Sequence, residues 1–213
     1  MSTSAREDIL RGLRRALDAA PGVVDDVAAL PPARPAAAPE RVDRFAERAA
    51  DYRGTVTRCA GRGAIGAAID AVLGRHGACD VLVADGLPAA WRPAGAGVRD
   101  AGAAGVGALD AADGVVTGCA LAIAETGTIV LDGGALSGRR LITLVPDLHV
   151  CVVLAAQVVA TTADALRLLA PAIGAGAPVT LVSGPSATSD IELSRVEGVH
   201  GPRRLEVVVV DEL

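Results

Sequence analysis

The chain has 213 residues, of which 51% are apolar and only 1% aromatic, and its formal net charge is −5. This length suits one large α/β domain with a short appendage better than two domains with separate cores. Nucleic acid is not expected as a partner, because single-stranded nucleic acids bind to stacked aromatic side chains on a basic surface. The sequence contains Arg but no Lys, which excludes a lysine Schiff base and the lysine of a phosphate-binding P-loop.

The four cysteines indicate a reducing compartment. Cys59, Cys79, Cys119 and Cys151 are far apart in the sequence and form no CxxC pair, so neither zinc nor an iron–sulfur cluster is expected on this chain. The N terminus lacks the basic and then apolar order of a signal peptide. The longest apolar stretch, near residues 150–160, is too short to span a bilayer. We therefore expect a cytoplasmic protein without a membrane span.

The N-terminal segment is predicted to be an amphipathic helix over residues 4–19. Ser4 and Glu7 form a capping box, and apolar residues then recur at helical spacing while arginines occupy the other face. Residues 20–39 follow as a Pro- and Ala-rich connector, which predicts extended or mobile chain. The expected domains are thus residues 1–39 and residues 40–213.

The compact domain is predicted as an α/β fold with a mixed, largely parallel sheet flanked by helices. The expected helices cover residues 40–52, 62–75, 162–170 and 189–196. The expected strands cover residues 55–60, 80–85, 115–116, 121–124, 128–131, 141–145, 150–154, 179–182 and 205–210. Close spacing of the strands between residues 115 and 154 predicts hairpins rather than helical crossovers, and the Gly- and Ala-rich residues 95–107 give no clear pattern.

A GxGxxG string, residues 61–66, follows a predicted strand and opens a helix, and Asp85 ends the next strand. This order is typical of a dinucleotide site, in which the acidic residue contacts a ribose. Arg58 in the middle of the first strand argues against it, because that strand is normally buried on both faces. With 25 glycines in the chain, chance matches are expected, so NAD is not predicted as a cofactor.

Two segments combine turn-forming residues with polar side chains that a purely structural loop would not need. The first contains Ala-Glu-Thr-Gly-Thr-Ile-Val-Leu from residue 124, then Arg139-Arg140 and Pro-Asp-Leu-His from residue 146. The second contains Ser-Gly-Pro-Ser-Ala-Thr-Ser-Asp-Ile-Glu from residue 183 and Gly-Val-His-Gly-Pro from residue 198.

Four strings, at residues 124–131, 139–149, 183–192 and 198–202, resemble in this order the signature of the lactate-utilisation protein C family, whose LUD domain has a fold similar to CoA transferases and sugar-phosphate isomerases. The resemblance covers most of the chain. It implies a role in converting L-lactate to pyruvate together with cytoplasmic partner proteins, at least one of which carries iron–sulfur clusters. By analogy with CoA transferases, Glu125 before Gly127 is the counterpart of a glutamate that attacks an acyl group.

We expect the polar turns to form a site for a small carboxylic acid or acyl ligand. Arg140 or Arg139 offers a bidentate clamp for a carboxylate, and Asp147 is placed to orient the imidazole of His149. The turn after residues 179–182 offers backbone N–H groups and hydroxyls at the carboxyl end of a strand. The proposed catalytic residues are Glu125, His200 and Asp190, and the proposed ligand-binding residues are Thr126, Gly127, Thr128, Arg140, His149, Ser183, Gly184, Ser186, Thr188 and Gly201.

Each of these residues also has a structural interpretation. Ser189 with Glu192 matches a capping box, and Asp190 then suits the first turn of a helix. Glu125 is either a solvated turn carboxylate or a group aimed into a site, and a single His in a turn often serves only as a hydrogen-bonding residue. Two other functions therefore stay open: a non-catalytic assembly or regulatory protein that docks its partners through the N-terminal helix, and a free-standing transferase or isomerase.

Overall fold

A computed structural model describes residues 5–18, 38–189, 195–198 and 200–211 of the chain. The chain divides into two compact units, Met1–Pro31 and Pro32–Leu213. In the first unit, α1 covers Ala5–Asp18, which confirms the predicted helix. Its apolar residues Ile9, Leu10 and Leu13 are 63%, 37% and 55% exposed. Ser4, the predicted cap, lies outside the described residues, as does most of the connector.

The second unit contains four α-helices and twelve strands in its described part. The helices are α2 (Ala38–Asp51), α3 (Ile65–His76), α4 (Val106–Asp110) and α5 (Thr162–Gly174). The strands are β1 (Thr55–Cys59), β2 (Asp80–Val83), β3 (Gly97–Asp100), β4 (Gly114–Gly118), β5 (Leu121–Ile123), β6 (Thr128–Leu131), β7 (Leu148–Leu154), β8 (Val158–Val159), β9 (Thr180–Val182), β10 (Ala187–Ser189), β11 (Arg195–Glu197) and β12 (Arg204–Val210). Pro39 sits in the first turn of α2, where its missing N–H costs no hydrogen bond.

Six strands form one parallel sheet in the order β1-β12-β7-β4-β2-β3. The central strands are buried on both faces, as expected for strands built almost wholly from Val, Leu and Ile. Alternate side chains of β7 and β12 pack against α3 on one face and against α2 on the other. The predicted α/β class with a largely parallel sheet is confirmed.

The edge position of β1 explains its central charge. Among the described strands, β12 alone pairs with β1. The exposed Arg58 donates hydrogen bonds from its guanidinium to the carboxylates of Asp43 and Asp211. A strand at the edge of a sheet can carry a charged side chain in this way because its outer side is open.

A second sheet, in the order β8-β5-β6-β9, packs on the α2 side of the first. Its strands β5 and β6 form the expected antiparallel hairpin. β4 and β7, however, are parallel neighbours in the large sheet, so the prediction of hairpins throughout this region is wrong. The crossover from β4 to β7 is made by the β5–β6 hairpin and the segment that follows it.

Two further predictions differ from the structure. Residues 141–145 were expected as a strand, but Arg140–Thr143 is a 3₁₀ turn, because both edges of the following strand β7 are already occupied by β12 and β4. Residues 189–196 were expected as a short helix, but Ser189 ends β10 and Arg195 begins β11, and these strands pair as an antiparallel ribbon. Residues 190–194, the rest of the predicted helix, lie outside the described residues. Across the described residues, no helix is long and apolar enough to cross a membrane.

Candidate functional site

A cleft with a volume of about 230 Å³ lies where β9 ends and where β7 and β12 begin. The turn after β9 forms one wall, the 3₁₀ turn before β7 forms another, and the loop that leads into β12 closes the third side. Its lining residues include Arg140, Thr143, His149, Ser183, Gly184, Ser186, His200 and Gly201. The two segments singled out in the sequence thus meet in space, although they are far apart along the chain.

His149 is a buried polar group of this cleft. Its side chain is 1% exposed, and its Nε2 lies 2.8 Å from the hydroxyl of Thr117, which is itself fully buried in β4. Burial lowers the pKa of His149 to about 4, and the positive charge of Arg140 adds to this effect. The imidazole is therefore neutral at neutral pH and acts as a hydrogen-bonding group.

The partner of His149 is Thr117 and not Asp147, which corrects the sequence-based expectation. The carboxylate of Asp147 accepts a hydrogen bond from Nε of Arg203 at 2.5 Å, and its carbonyl accepts one from the backbone N–H of Arg204. Residues two apart in a strand have side chains on the same face, so the expected contact needed Asp147 and His149 in one strand. β7 begins at Leu148, so Asp147 lies outside the strand and does not share a face with His149.

Arg140 and Arg139 point to different places. Arg140 lines the cleft, where its Nη1 donates to the carbonyl and hydroxyl oxygens of Thr143 at 3.1 and 3.0 Å. Burial lowers the pKa of Arg140, but a guanidinium remains charged in proteins. Arg139 instead donates to the backbone carbonyls of Ala101 and Ala104. Of the two arginines, Arg140 is the one that can contact a ligand in this cleft.

Ser186 ties the turn after β9 to the loop before β12. Its backbone N–H donates to the carbonyl of Pro202 at 2.7 Å, and its hydroxyl accepts a hydrogen bond from the backbone N–H of His200 at 3.2 Å. Gly201 adopts a φ of +155°, a backbone conformation that L side chains rarely adopt. The His200 side chain is exposed at the mouth of the cleft.

A row of hydroxyls leads to the cleft from the β5–β6 turn. Thr126 Oγ1 lies 2.6 Å from Thr128 Oγ1, which lies 2.7 Å from Ser183 Oγ. Ser183 lines the cleft, whereas Thr126 and Thr128 do not. These two threonines therefore position Ser183 and have no direct contact with the cleft.

Glu125 is placed away from the cleft. Its backbone N–H donates to Ala160, and its Oε2 accepts from the backbone N–H of Thr162 at 3.2 Å, at the first residue of α5. A carboxylate there interacts favourably with the helix dipole. The expectation that Glu125 shares one cleft with Ser186 and His200 is not met.

Gly127 has a packing role in the structure. Its φ is +63°, and an added Cβ would lie 2.4 Å from backbone atoms of Arg48 and Ala49 in α2. Only a glycine permits this approach. Of the other predicted residues, Thr188 lies in β10 opposite Val196, and Asp190 lies outside the described residues.

The Gly61–Gly66 string follows β1, and Asp85 follows β2. These two strands are separated by β12, β7 and β4, whereas a dinucleotide site needs the acidic residue on the neighbouring strand. An added Cβ at Gly66 would lie 3.3 Å from the carbonyl oxygen of Ala90, so this glycine lets α3 pack closely against that segment.

Sequence reasoning missed Thr117 and Thr143. Thr117 is part of the apolar strand β4, and nothing in its local sequence distinguishes it from a packing residue. Thr143 was read as part of a strand. The only sequence feature that could have identified them is a threonine hydroxyl close to a polar segment, and such hydroxyls are too common to indicate a site.

The charges of the cleft favour an anion. Arg140 is a permanent cation, His149 and His200 are hydrogen-bonding groups, and Asp and Glu are absent from the lining residues in the described part of the chain. The described residues also contain no group of three or more His, Cys, Asp or Glu side chains placed to hold a metal ion. The arrangement suits a small carboxylate bound by hydrogen bonds.

The fold and this cleft define an α/β protein with a cationic cleft at the junction of its two sheets. The LUD domain family matches residues 43–210, and the chain belongs to this family. The match falls within the second compact unit, Pro32–Leu213.

The chain is also similar to two named relatives and to one solved structure. The chain is 48% identical to Lactate utilization protein C of Deinococcus radiodurans, over 85% of this chain and 86% of that protein. It is 38% identical to Lactate utilization protein C 1 of Bacillus mycoides, over 48% of this chain and 45% of that protein. The crystal structure of a DUF162 family protein from Deinococcus radiodurans superposes with a TM-score of 0.72 at 38% identity, covering 83% of this chain and 100% of that one.

Proposed function

We propose that the chain is a component of a bacterial L-lactate utilisation system and that its cleft binds the small carboxylic acid on which this system acts. The observation that carries the proposal is Arg140, a partly buried guanidinium in a cleft whose described lining contains no carboxylate. The names of the two similar proteins point to lactate as the acid.

In this proposal, Arg140 pairs with the carboxylate of the ligand. Its Nη1 is already held by Thr143, so the guanidinium is oriented before the ligand arrives, which reduces the entropy lost on binding. Neutral His149 and the His200 side chain are then placed to hydrogen-bond the hydroxyl or oxo oxygen of lactate or pyruvate. The apolar side chain of Leu205 in the cleft wall suits the methyl group.

The oxidation itself requires an electron acceptor. Conversion of lactate to pyruvate releases two electrons and two protons, and the cysteines of this chain are too scattered in sequence to ligate a cluster. We therefore place the electron acceptor on iron–sulfur partner proteins and assign to this chain the binding of the acid. The chain itself is proposed to work without a cofactor of its own.

Arg140→Ala tests the site. In a strain that lacks its own lactate utilization protein C, the wild-type chain should restore growth on L-lactate, and the variant should not. Isothermal titration should show that the variant loses affinity for lactate or pyruvate by about tenfold or more, because a charge-assisted bidentate pair is lost. Arg48→Ala, which removes a solvent-exposed arginine paired with Asp51, is the matched control. Unchanged growth and binding in Arg140→Ala would contradict the proposal.

A second function, assembly of the partner proteins, is favoured by α1. Its apolar residues Ile9, Leu10 and Leu13 are exposed, as expected for a helix that docks onto another protein. Replacing Ile9 and Leu13 with Ser should then abolish co-purification of the iron–sulfur proteins while leaving lactate binding unchanged. Retained co-purification would remove this second function.

A further inference from the structure

A second cleft, with a volume of about 260 Å³, lies at the opposite end of the parallel sheet, where β2 and β3 end. Ligands of open α/β sheets commonly bind outside the carboxyl ends of the strands. The described residues that line it are Asp85, Gly102, Gly133, Gly134, Ala135, Gly138, Arg139 and Ile142. No function derived above uses this cleft.

Asp85 presents a carboxylate to this cleft. Its Oδ1 accepts a hydrogen bond from the backbone N–H of Gly102 at 2.8 Å, which fixes the direction of the side chain. Among the described residues, no Arg or His forms an ion pair with Asp85. The protein therefore orients one carboxylate oxygen of Asp85, and the negative charge of this carboxylate is available to pair with a cationic group of a ligand.

Arg139 presents the opposite charge. Its Nη2 donates to the backbone carbonyls of Ala101 and Ala104, so the guanidinium is held in place by neutral groups. In the described part of the chain it pairs with no carboxylate, Asp85 included. The remaining N–H groups of the guanidinium are free to pair with an anion.

Glycines form most of the rest of the cleft wall. Gly133 and Gly138 have φ values of +70° and +65°, which glycine adopts without strain, so the backbone turns tightly along this wall. Ile142, which is 1% exposed, contributes an apolar surface. Space therefore remains for a small ligand between the two charged groups.

We propose that this second cleft binds a small zwitterion, such as a free α-amino acid, with its ammonium group on Asp85 and its carboxylate on Arg139. The described lining contains one acid, Asp85, and one base, Arg139, so its net charge is zero. The two side chains do not form an ion pair with each other. A ligand that carries both charges satisfies both groups, whereas a simple anion meets the repulsion of Asp85. The described residues that line the cleft around Arg140 contrast with this, since they include a cation and no acid.

L-Alanine and L-lactate are a matched pair of probes, because they differ only in carrying an ammonium group or a hydroxyl. Isothermal titration of the full chain should show binding of L-alanine, and Asp85→Asn and Arg139→Gln should each weaken it by about tenfold or more. Ethylammonium, which lacks the carboxylate, should not bind. Absence of L-alanine binding at millimolar concentrations, or binding that is unchanged in both variants, would overturn the proposal.

Ala135→Leu provides a test that leaves both charges in place. Ala135 is exposed on the cleft wall, and the larger side chain should obstruct the cleft and abolish L-alanine binding without unfolding the protein. Asp51→Asn, at a surface ion pair, is the control for loss of a carboxylate.

Arg140→Ala separates this proposal from the function proposed above. It should remove lactate binding and leave L-alanine binding intact, and Asp85→Asn should do the reverse. Loss of L-alanine binding in Arg140→Ala would place the zwitterion in the first cleft and overturn the second site. Failure of lactate to bind would count against the proposed function and not against this site.

Discussion

The pair of Thr117 and His149 shows how a buried polar contact fixes a single side chain. Both residues are almost fully buried between strands of the parallel sheet, where water cannot replace a lost hydrogen-bond partner. The cost of removing one partner is therefore the desolvation of the other.

Thr117→Val should lower the free energy of unfolding by about 1–3 kcal/mol, because the shape is kept and the imidazole nitrogen of His149 loses its partner. Urea denaturation followed by circular dichroism measures this. Thr55→Val, at an exposed position of the edge strand β1, should have little effect. Equal losses in both variants would show that the 2.8 Å contact contributes nothing specific.

The buried imidazole also predicts how stability depends on pH. The pKa of His149 is lowered from 6.5 to about 4 in the folded protein, so between these values the unfolded chain binds a proton that the folded chain does not. Stability is therefore greatest above pH 6.5 and should fall as the pH is lowered toward 4, by up to roughly 3 kcal/mol. His149→Gln should show a shallower decrease between pH 6.5 and pH 5 in urea denaturation. Parallel curves for the two proteins would contradict the assignment.

At the scale of elements, the β5–β6 turn depends on a glycine for two separate reasons. Gly127 has a positive φ, and it also touches the backbone of α2. Gly77, at the carboxyl end of α3, has the same φ of +63° but no atom within 4 Å of an added Cβ.

Gly77→Ala should therefore cost only the conformational penalty, about 1–2 kcal/mol. Gly127→Ala should cost at least about 1–3 kcal/mol more, because α2 must move to make room. Thermal unfolding of the two variants gives the comparison. A loss in Gly127→Ala no greater than that in Gly77→Ala would mean that the turn does not press on α2.

The elements also show what the sequence could and could not predict. The helices α1, α2, α3 and α5 were predictable because each has an amphipathic repeat of its own. The structures of residues 141–145 and 189–196 were not predictable, because they depend on which strands pair with one another. For the first segment, both edges of β7 are already occupied by β12 and β4. For the second, Ser189 and Arg195 pair with each other across β10 and β11, and residues 190–194 lie outside the described residues.

The same limit applies to the candidate site. The sequence identified Arg140, His149, Ser186 and His200, because polar residues next to Gly and Pro in turns are visible locally. The sequence analysis placed Glu125 in the wrong position. The crossover between β4 and β7 determines which way the β5–β6 turn faces, and this crossover cannot be predicted from the local sequence. Thr117 was invisible for the same reason: its contact with His149 exists only across two parallel strands.

At the scale of the whole molecule, the buried core of the described residues begins with α2. The first buried apolar side chain in the described chain is Val42, and both main clusters are built from residues 42–210. A chain that lacks residues 1–31 should therefore unfold at the same urea concentration as the full chain. Equilibrium denaturation of the two proteins tests this, and a midpoint that drops markedly would show that the first unit stabilises the second.

The carboxyl end of α2 touches two loops at once. Gly127 meets the backbone of Arg48 and Ala49, and an added Cβ at Gly184 would lie 2.3 Å from the carbonyl oxygen of Tyr52. The carboxyl end of this one helix thus contacts both the hairpin that orients Ser183 and the turn that borders the cleft. A rotation of this helix would shift both loops together, which gives the protein one mechanical route by which an event on the outer surface of α2 could reshape the cavity.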